Sequence, residues 1–77
     1  MAYKSSISIS NETDRTLTLH VEPWGRQIPM PATSTLKVMA EAKQDGEMEI
    51  EYKENDIFVW GWAGSVVTVF SNCREVG

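Results

Sequence analysis

Strict alternation runs through Thr16-Leu17-Thr18-Leu19-His20-Val21-Glu22, where every second side chain is aliphatic. Successive side chains of a β-strand point to opposite faces of a sheet, so a period of two indicates a half-buried strand. We therefore expect the three aliphatic side chains of this stretch to face a core and the polar ones to face outward. Pro23 follows at once and ends the strand or marks its edge, because proline cannot donate a ladder hydrogen bond.

The same alternation recurs along most of the chain. It is found in Ser6–Ser10, Thr35–Glu41 and Glu47–Lys53, and two further strand-like stretches, Ile57–Trp62 and Val66–Phe70, are richer in apolar residues. No window has the spacing of an amphipathic helix. Six to seven short strands at intervals of about 10 residues predict an all-β domain, a small antiparallel β-sandwich that occupies residues 1–77 as a single unit.

Turn-forming residues between these stretches predict how neighbouring strands pair. Asp45-Gly46 tolerates the positive φ angles of a tight hairpin, so residues 35–43 are expected to pair with 47–53. A second hairpin is expected between residues 57–62 and 66–70. The segment from Pro23 to Pro31 holds all three prolines and predicts a loop or a short edge strand.

Composition excludes several classes of function. Eleven acidic and seven basic residues give a net charge of −4, and no two basic residues are adjacent, which argues against nucleic acid as a partner. No run of about 18 apolar residues is present, so no membrane span is expected. Cys73 is the single cysteine and His20 the single histidine, so neither a disulfide, a metal site nor a cofactor is predicted. The lone thiol and the lack of a signal-peptide pattern favour the cytoplasm.

The aromatic stretch Ile57-Phe58-Val59-Trp60-Gly61-Trp62 breaks the alternation, because both of its faces are apolar. Phe58, Trp60 and Trp62 would share one face. They either fill the core or form a binding platform, since tryptophan is enriched at recognition hot spots. Trp24, beside the proline-rich segment, either plugs the end of the sandwich or anchors a recognition loop. These four aromatic residues are the candidate binding residues.

Catalytic motifs are not evident in the sequence. His20 lies on the outward face of its strand and is expected to be solvated. Three glutamates are expected to form a charged outer face, paired with lysines of the neighbouring strand. The residues concerned are Glu47, Glu49 and Glu51, with Lys37 and Lys43 as the predicted partners. No nucleophile elbow, glycine-rich phosphate loop or paired-cysteine motif occurs, so no catalytic residue is predicted.

A loose motif extends over residues 7–38. It consists of a strand that ends in Asn11, a polar turn, a strand that leads to Trp24, and a proline loop before the next strand. This order resembles the start of the β-domain of the von Hippel-Lindau tumour suppressor family, which implies a seven-stranded prealbumin-like sandwich. That family recognises a hydroxyproline-containing peptide, and Trp24 stands where it has a pocket tryptophan. Met30 and Pro31 stand where it has an aromatic residue, so the resemblance implies the fold more than the peptide recognition.

Together these patterns favour a soluble, non-enzymatic binding or protein-interaction module. Its partner is expected to be another protein or a second copy, which would associate through the aromatic strand. The alternative is a β-sandwich that binds a small ligand or a glycan through Trp60 and Trp62, because flat indole rings stack on sugar rings. The exposure of these two side chains separates the hypotheses.

Overall fold

The computed structural model describes residues 2–72 and 74–76. Within those residues it contains eight strands and no helix. The strands are β1 (Tyr3–Ser10), β2 (Leu17–Glu22), β3 (Arg26–Met30), β4 (Thr35–Ala42), β5 (Glu49–Lys53), β6 (Asp56–Trp60), β7 (Val66–Ser71) and β8 (Arg74–Val76). The predicted all-β class is therefore confirmed, with eight strands in place of six to seven.

Two four-stranded sheets form the sandwich. The first sheet has the order β1-β4-β7-β8 and the second has the order β3-β2-β6-β5. Neighbouring strands are antiparallel, except that β2 and β6 are parallel, with Leu19 opposite Ile57. A parallel pair needs a crossover connection, and here the chain passes through the first sheet between β3 and β5.

The core lies between the inner faces of the two sheets. It is one cluster of side chains from both sheets: Ile9, Leu17, Leu19, Val21, Ile28, Met30, Leu36, Val38, Ala40, Ile57, Val59, Val67 and Val69. The inward positions predicted from alternation in β2 and β4 are all buried. Ile7 and Tyr52 are exceptions to the inward positions expected from alternation, because both lie on edge strands, where they are 37% and 72% exposed.

The predicted hairpin of residues 35–43 with 47–53 is wrong. Strand β4 pairs with β1 and β7 in the first sheet, whereas β5 pairs with β6 in the second. Gly46 is not among the glycines with positive φ, which are Gly25 and Gly64. It lies instead against the Trp62 indole, where an added Cβ would be 2.2 Å from ring carbons. The lack of a side chain at Gly46 therefore allows the Trp62 ring to approach the backbone closely, and it does not serve a tight turn.

The predicted lysine partners of the glutamates are wrong for the same reason. Lys37 lies on β4, opposite Phe70 of β7, and Lys43 lies in the connection directly after β4. The cross-strand neighbours of Glu49 and Glu51 are Trp60 and Phe58 of β6. All three glutamates are nevertheless exposed, as predicted.

The predicted hairpin of residues 57–62 with 66–70 is also wrong, because residues 61–65 cross from the second sheet to the first. Ser65 is 5% exposed and fixes this crossing. Its backbone N–H and its hydroxyl both donate to the carbonyl oxygen of Trp62, at 2.9 and 2.6 Å. The turn-rich sequence Ala63-Gly64-Ser65 therefore connects β6 of the second sheet to β7 of the first sheet and does not form a hairpin within one sheet.

The proline-rich segment behaves as predicted and forms a short edge strand. Strand β3 lies at the edge of the second sheet and includes Pro29. At its start, the Arg26 guanidinium donates to the carbonyl oxygen of Val67 at 2.5 Å. This hydrogen bond joins the edge of the second sheet to the first sheet and closes one end of the core.

Candidate functional site

The three tryptophans lie at the same end of the sandwich. Because β2 and β6 are parallel, their C-terminal ends coincide, with Glu22 opposite Trp60. Trp24 follows β2, and Trp62 follows β6. The Gly61 backbone N–H donates to the carbonyl oxygen of Glu22 at 3.1 Å and ties the two strand ends together. We call residues 22–26 and 60–66 the tryptophan end.

The outer face of the second sheet continues from this end and combines aromatic rings with carboxylates. Trp60 lies between Glu22 of β2 and Glu49 of β5, which are its direct cross-strand neighbours. Phe58 lies two residues earlier on the same face, beside Glu51 of β5. Neighbouring strands are about 4.8 Å apart, so these side chains form one surface. We call these five residues the acidic aromatic face.

Trp60 is the accessible ring of this face. Its side chain is 36% exposed, although it belongs to a central strand whose inner residues, Ile57 and Val59, are almost fully buried. Phe58 is only partly exposed because His20 stacks on it, with ring centroids 4.3 Å apart and an interplanar angle of 12°. The Lys53 Nζ lies 5.6 Å from the centroid of the Phe58 ring. The carboxylates next to Trp60 therefore lie towards the tryptophan end, and Lys53 lies at the other end of the face.

His20 is not the solvated residue that its outward position predicted. Its side chain is 15% exposed, and its Nε2 lies 2.7 Å from Oδ1 of Asp56. Asp56 starts β6 opposite Thr18, two residues before His20 on the same face, so the pair joins the two parallel strands. Together with the stack on Phe58, this pair fixes the position of the Phe58 ring on the outer face of the second sheet.

Trp62 is separated from the other two rings of the predicted stripe. It lies beyond the end of β6 and packs against the core cluster as a partly buried side chain. Its Nε1 donates to the carbonyl oxygen of Gln44 at 2.9 Å, and its ring covers Gly46. Trp62 therefore holds residues 43–48 against the sandwich, and the common outer face is limited to Phe58 and Trp60.

Trp24 lies across the tryptophan end and is 48% exposed. An added Cβ at Gly61 would be 3.1 Å from Cη2 of Trp24, so the ring rests on this glycine. With Arg26, Val66 and other neighbours it lines a hollow of about 330 Å³. Trp24 therefore covers the gap between the sheets with one part of its ring and exposes the other.

Metal ligands do not converge in the part of the chain that the structure describes: no group of three or more His, Cys, Asp or Glu side chains could hold an ion there. Cys73 lies outside the described residues. No helix able to cross a bilayer is found over residues 2–72 and 74–76. Sequence reasoning missed one member of the acidic aromatic face, Glu22, and the supporting pair of His20 with Asp56, because only the parallel pairing of β2 with β6 brings Glu22 and His20 to the aromatic strand.

Comparison with protein-family models, with curated proteins and with solved structures gives no match to this chain. The resemblance of residues 7–38 to the von Hippel-Lindau β-domain therefore stays a prediction.

Proposed function

We propose that this protein is a non-enzymatic protein-interaction module whose acidic aromatic face binds an extended basic segment of another protein. The observation that carries the proposal is the position of Trp60, an accessible indole between Glu22 and Glu49. A guanidinium or ammonium group over an indole is attracted by the negative face of the ring, by about 0.5–2 kcal/mol. Carboxylates on both sides add charge-assisted hydrogen bonds to the same cation.

The spacing of the face supports an extended partner. Trp60 and Phe58 are two residues apart on one strand, which is about 7 Å. Side chains at positions i and i+2 of an extended peptide have the same spacing, so an Arg-x-Arg segment matches both positions. One arginine would lie over Trp60, and the next would approach Glu51 beside Phe58.

The charges also favour a basic partner over a second copy at this face. Two such faces brought together would place Glu22, Glu49 and Glu51 close to their own copies, and the chain has a net charge of −4. Like charges in an interface oppose association. Support for a glycan ligand is weaker, because Trp62 packs against the core and does not extend the outer face beside Trp60, and the exposed Trp24 lies against Gly61 at the end of the sandwich.

A peptide titration tests this proposal. The probe is acetyl-Gly-Arg-Ser-Arg-Gly-amide, compared with the same peptide in which citrulline replaces both arginines, and binding is followed by calorimetry and by ¹⁵N–¹H chemical shifts. We expect binding by the arginine peptide that shifts the amides of β6, weakens with salt, and falls at least about tenfold in Trp60→Ala. Equal binding of the two peptides would contradict the proposal.

Matched glutamate variants distinguish peptide binding at the acidic aromatic face from general electrostatic attraction to an acidic protein. Glu49→Gln removes a carboxylate beside Trp60, whereas Glu75→Gln removes one from β8 in the other sheet. We expect Glu49→Gln to weaken binding about threefold or more and Glu75→Gln to leave it nearly unchanged. A similar loss in both variants would mean that only the net charge matters.

We also propose a cytoplasmic location. Only one cysteine occurs among 77 residues, whereas small secreted domains commonly depend on several disulfides. Fractionation of cells that express the untagged chain tests this, and recovery from the medium or from an oxidising compartment would overturn it.

A further inference from the structure

The four edge strands of the sandwich differ in how they resist pairing with another chain. Over the described residues, β8 has three residues, β3 contains Pro29, and β5 has the charged residues Glu49, Glu51 and Lys53. Short length, proline and charge are the usual features that keep an exposed edge from pairing. Strand β1 is the remaining edge.

Strand β1 lacks these features except for a single charge. It is eight residues long, contains no proline and no acidic residue, and pairs with β4 residue by residue from Tyr3–Ala42 to Ser10–Thr35, without a bulge. Its single charge, Lys4, lies 3.5 Å from Glu41 of β4. The unpaired edge of β1 is therefore an uninterrupted, nearly neutral row of backbone donors and acceptors.

Apolar side chains on β1 are left uncovered at this edge. Ile7 is 37% exposed and Tyr3 is 42% exposed, whereas their β4 neighbours Val38 and Ala42 are 0% and 7% exposed. All four point to the inner side of the first sheet, and the sheet ends beside β1. One more strand beyond β1, opposite residues 6–10, would cover Ile7.

We propose that β1 pairs antiparallel with β1 of a second copy of this chain, so that the two first sheets form one eight-stranded sheet across a two-fold axis. The sequence of the edge is self-complementary, since Ser6-Ile7-Ser8-Ile9-Ser10 reads the same in both directions. With the axis at Ser8, serines lie opposite serines on the outer face, and Ile7 of each copy lies opposite Ile9 of the other on the inner face. Cross-strand pairs of this kind stabilise a sheet.

Charge is compatible with this symmetric pairing. Lys4 is four positions from the axis, so the two Lys4 side chains are about 27 Å apart along the strands, beyond the screening length at physiological salt. The acidic aromatic face lies on the other sheet, so the dimer leaves it open and does not depend on the proposed function.

Sedimentation equilibrium of the full chain in a reducing buffer, from micromolar to millimolar concentration, tests the proposal. We expect a concentration-dependent species of twice 8.7 kDa that persists at high salt. Ile7→Lys places a charge on the inner side of the edge and is expected to weaken the dimer at least about tenfold. Gln27→Lys, an exposed change on the β3 edge, is the matched control and should leave the dimer intact.

Ser8→Glu is a second variant in case Ile7→Lys does not fold. Ser8 is exposed and lies opposite Lys37 of β4, so an acidic side chain there suits the monomer. In the dimer the two introduced carboxylates would lie opposite each other at the axis and oppose pairing. A monomer at every concentration, an unchanged dimer in Ser8→Glu, or a dimer lost in Trp60→Ala but kept in Ser8→Glu would each overturn the proposal.

Discussion

Gly46 lies under the Trp62 indole, and this contact accounts for a glycine that sequence reasoning assigned to a turn. A Cβ at this position would be 2.2 Å from the ring carbons, far inside van der Waals contact. The ring is itself fixed by its hydrogen bond to the carbonyl oxygen of Gln44. A side chain at position 46 must therefore displace the indole or the segment of residues 43–48.

Gly46→Ala should lower the free energy of unfolding by about 1–3 kcal/mol, the usual cost of overpacking. Urea denaturation measures this value, and the emission spectrum of the native protein should shift as Trp62 becomes more exposed. The control is the same change in a Trp62→Leu background, where the loss should be smaller because the two residues are coupled. Equal losses in both backgrounds would contradict the contact.

Asn11 joins the loops at the end of the sandwich opposite the tryptophan end. Its side chain is 1% exposed, and its Nδ2 donates to the carbonyl oxygens of Arg15 and Met30, both at 2.8 Å. Its Oδ1 accepts from the backbone N–H and the hydroxyl of Thr13, at 3.0 and 2.6 Å. An amide is required here, since only an amide donates and accepts in this geometry.

Asn11→Asp keeps the shape of the side chain but replaces the donor with a second acceptor that faces backbone carbonyls. We expect the free energy of unfolding to fall by about 2–4 kcal/mol at neutral pH, because buried groups lose their partners. Asn72→Asp, the same change at an exposed turn residue, should cost less than about 0.5 kcal/mol. Comparable losses at the two positions in chemical denaturation would rule out the special role of Asn11.

Strand β6 is the element that joins stability to the proposed function. Its inner residues, Ile57 and Val59, belong to the core, whereas Phe58 and Trp60 belong to the acidic aromatic face. The two faces of one central strand are therefore expected to respond differently to truncation.

Ile57→Ala should cost about 2–5 kcal/mol of stability through lost burial and a cavity, and the folded fraction should still bind the arginine peptide. Trp60→Ala should cost only about 1 kcal/mol, mainly through reduced strand propensity, yet lose binding. Denaturation and titration of the two variants side by side measure both effects. A Trp60→Ala loss as large as that of Ile57→Ala would mean that Trp60 is a core residue.

The whole molecule is organised by connections that cross between the two sheets. Four of the seven connections change sheet: those after β1, β3, β4 and β6. The remaining three, after β2, β5 and β7, are hairpins within one sheet. This topology, and not local turn chemistry, brings Glu22 beside Trp60 and all three tryptophans to one end.

Interstrand nuclear Overhauser effects test the topology directly. Val38 of β4 should show contacts to Ile7 of β1 and to Val69 of β7, since these residues are paired in register. Leu19 should show contacts to Ile57, as expected for the parallel pair. A regular set of contacts between residues 35–43 and 47–53 would instead restore the hairpin and contradict the described sheet order.

Alternation by itself determined the all-β class, the approximate strand positions and the direction of most side chains. The inward residues of β2 and β4, the exposed glutamates and the proline-marked edge were all predictable, because burial and the two-residue period act within one strand. The candidate status of Trp60 was predictable for the same reason, since a strand with two apolar faces must be central or display one of them.

Strand neighbours were decided only by the tertiary structure. An alternating strand specifies which of its faces is buried but not which strand lies beside it. Turn residues such as Asp45-Gly46 and Ala63-Gly64-Ser65 are equally suited to a hairpin and to a connection between two sheets. The parallel pairing of β2 with β6, the burial of His20 and the separation of Trp62 from Trp60 all follow from contacts between segments distant in sequence. The acidic aromatic face exists because those contacts place carboxylates from two strands beside one indole.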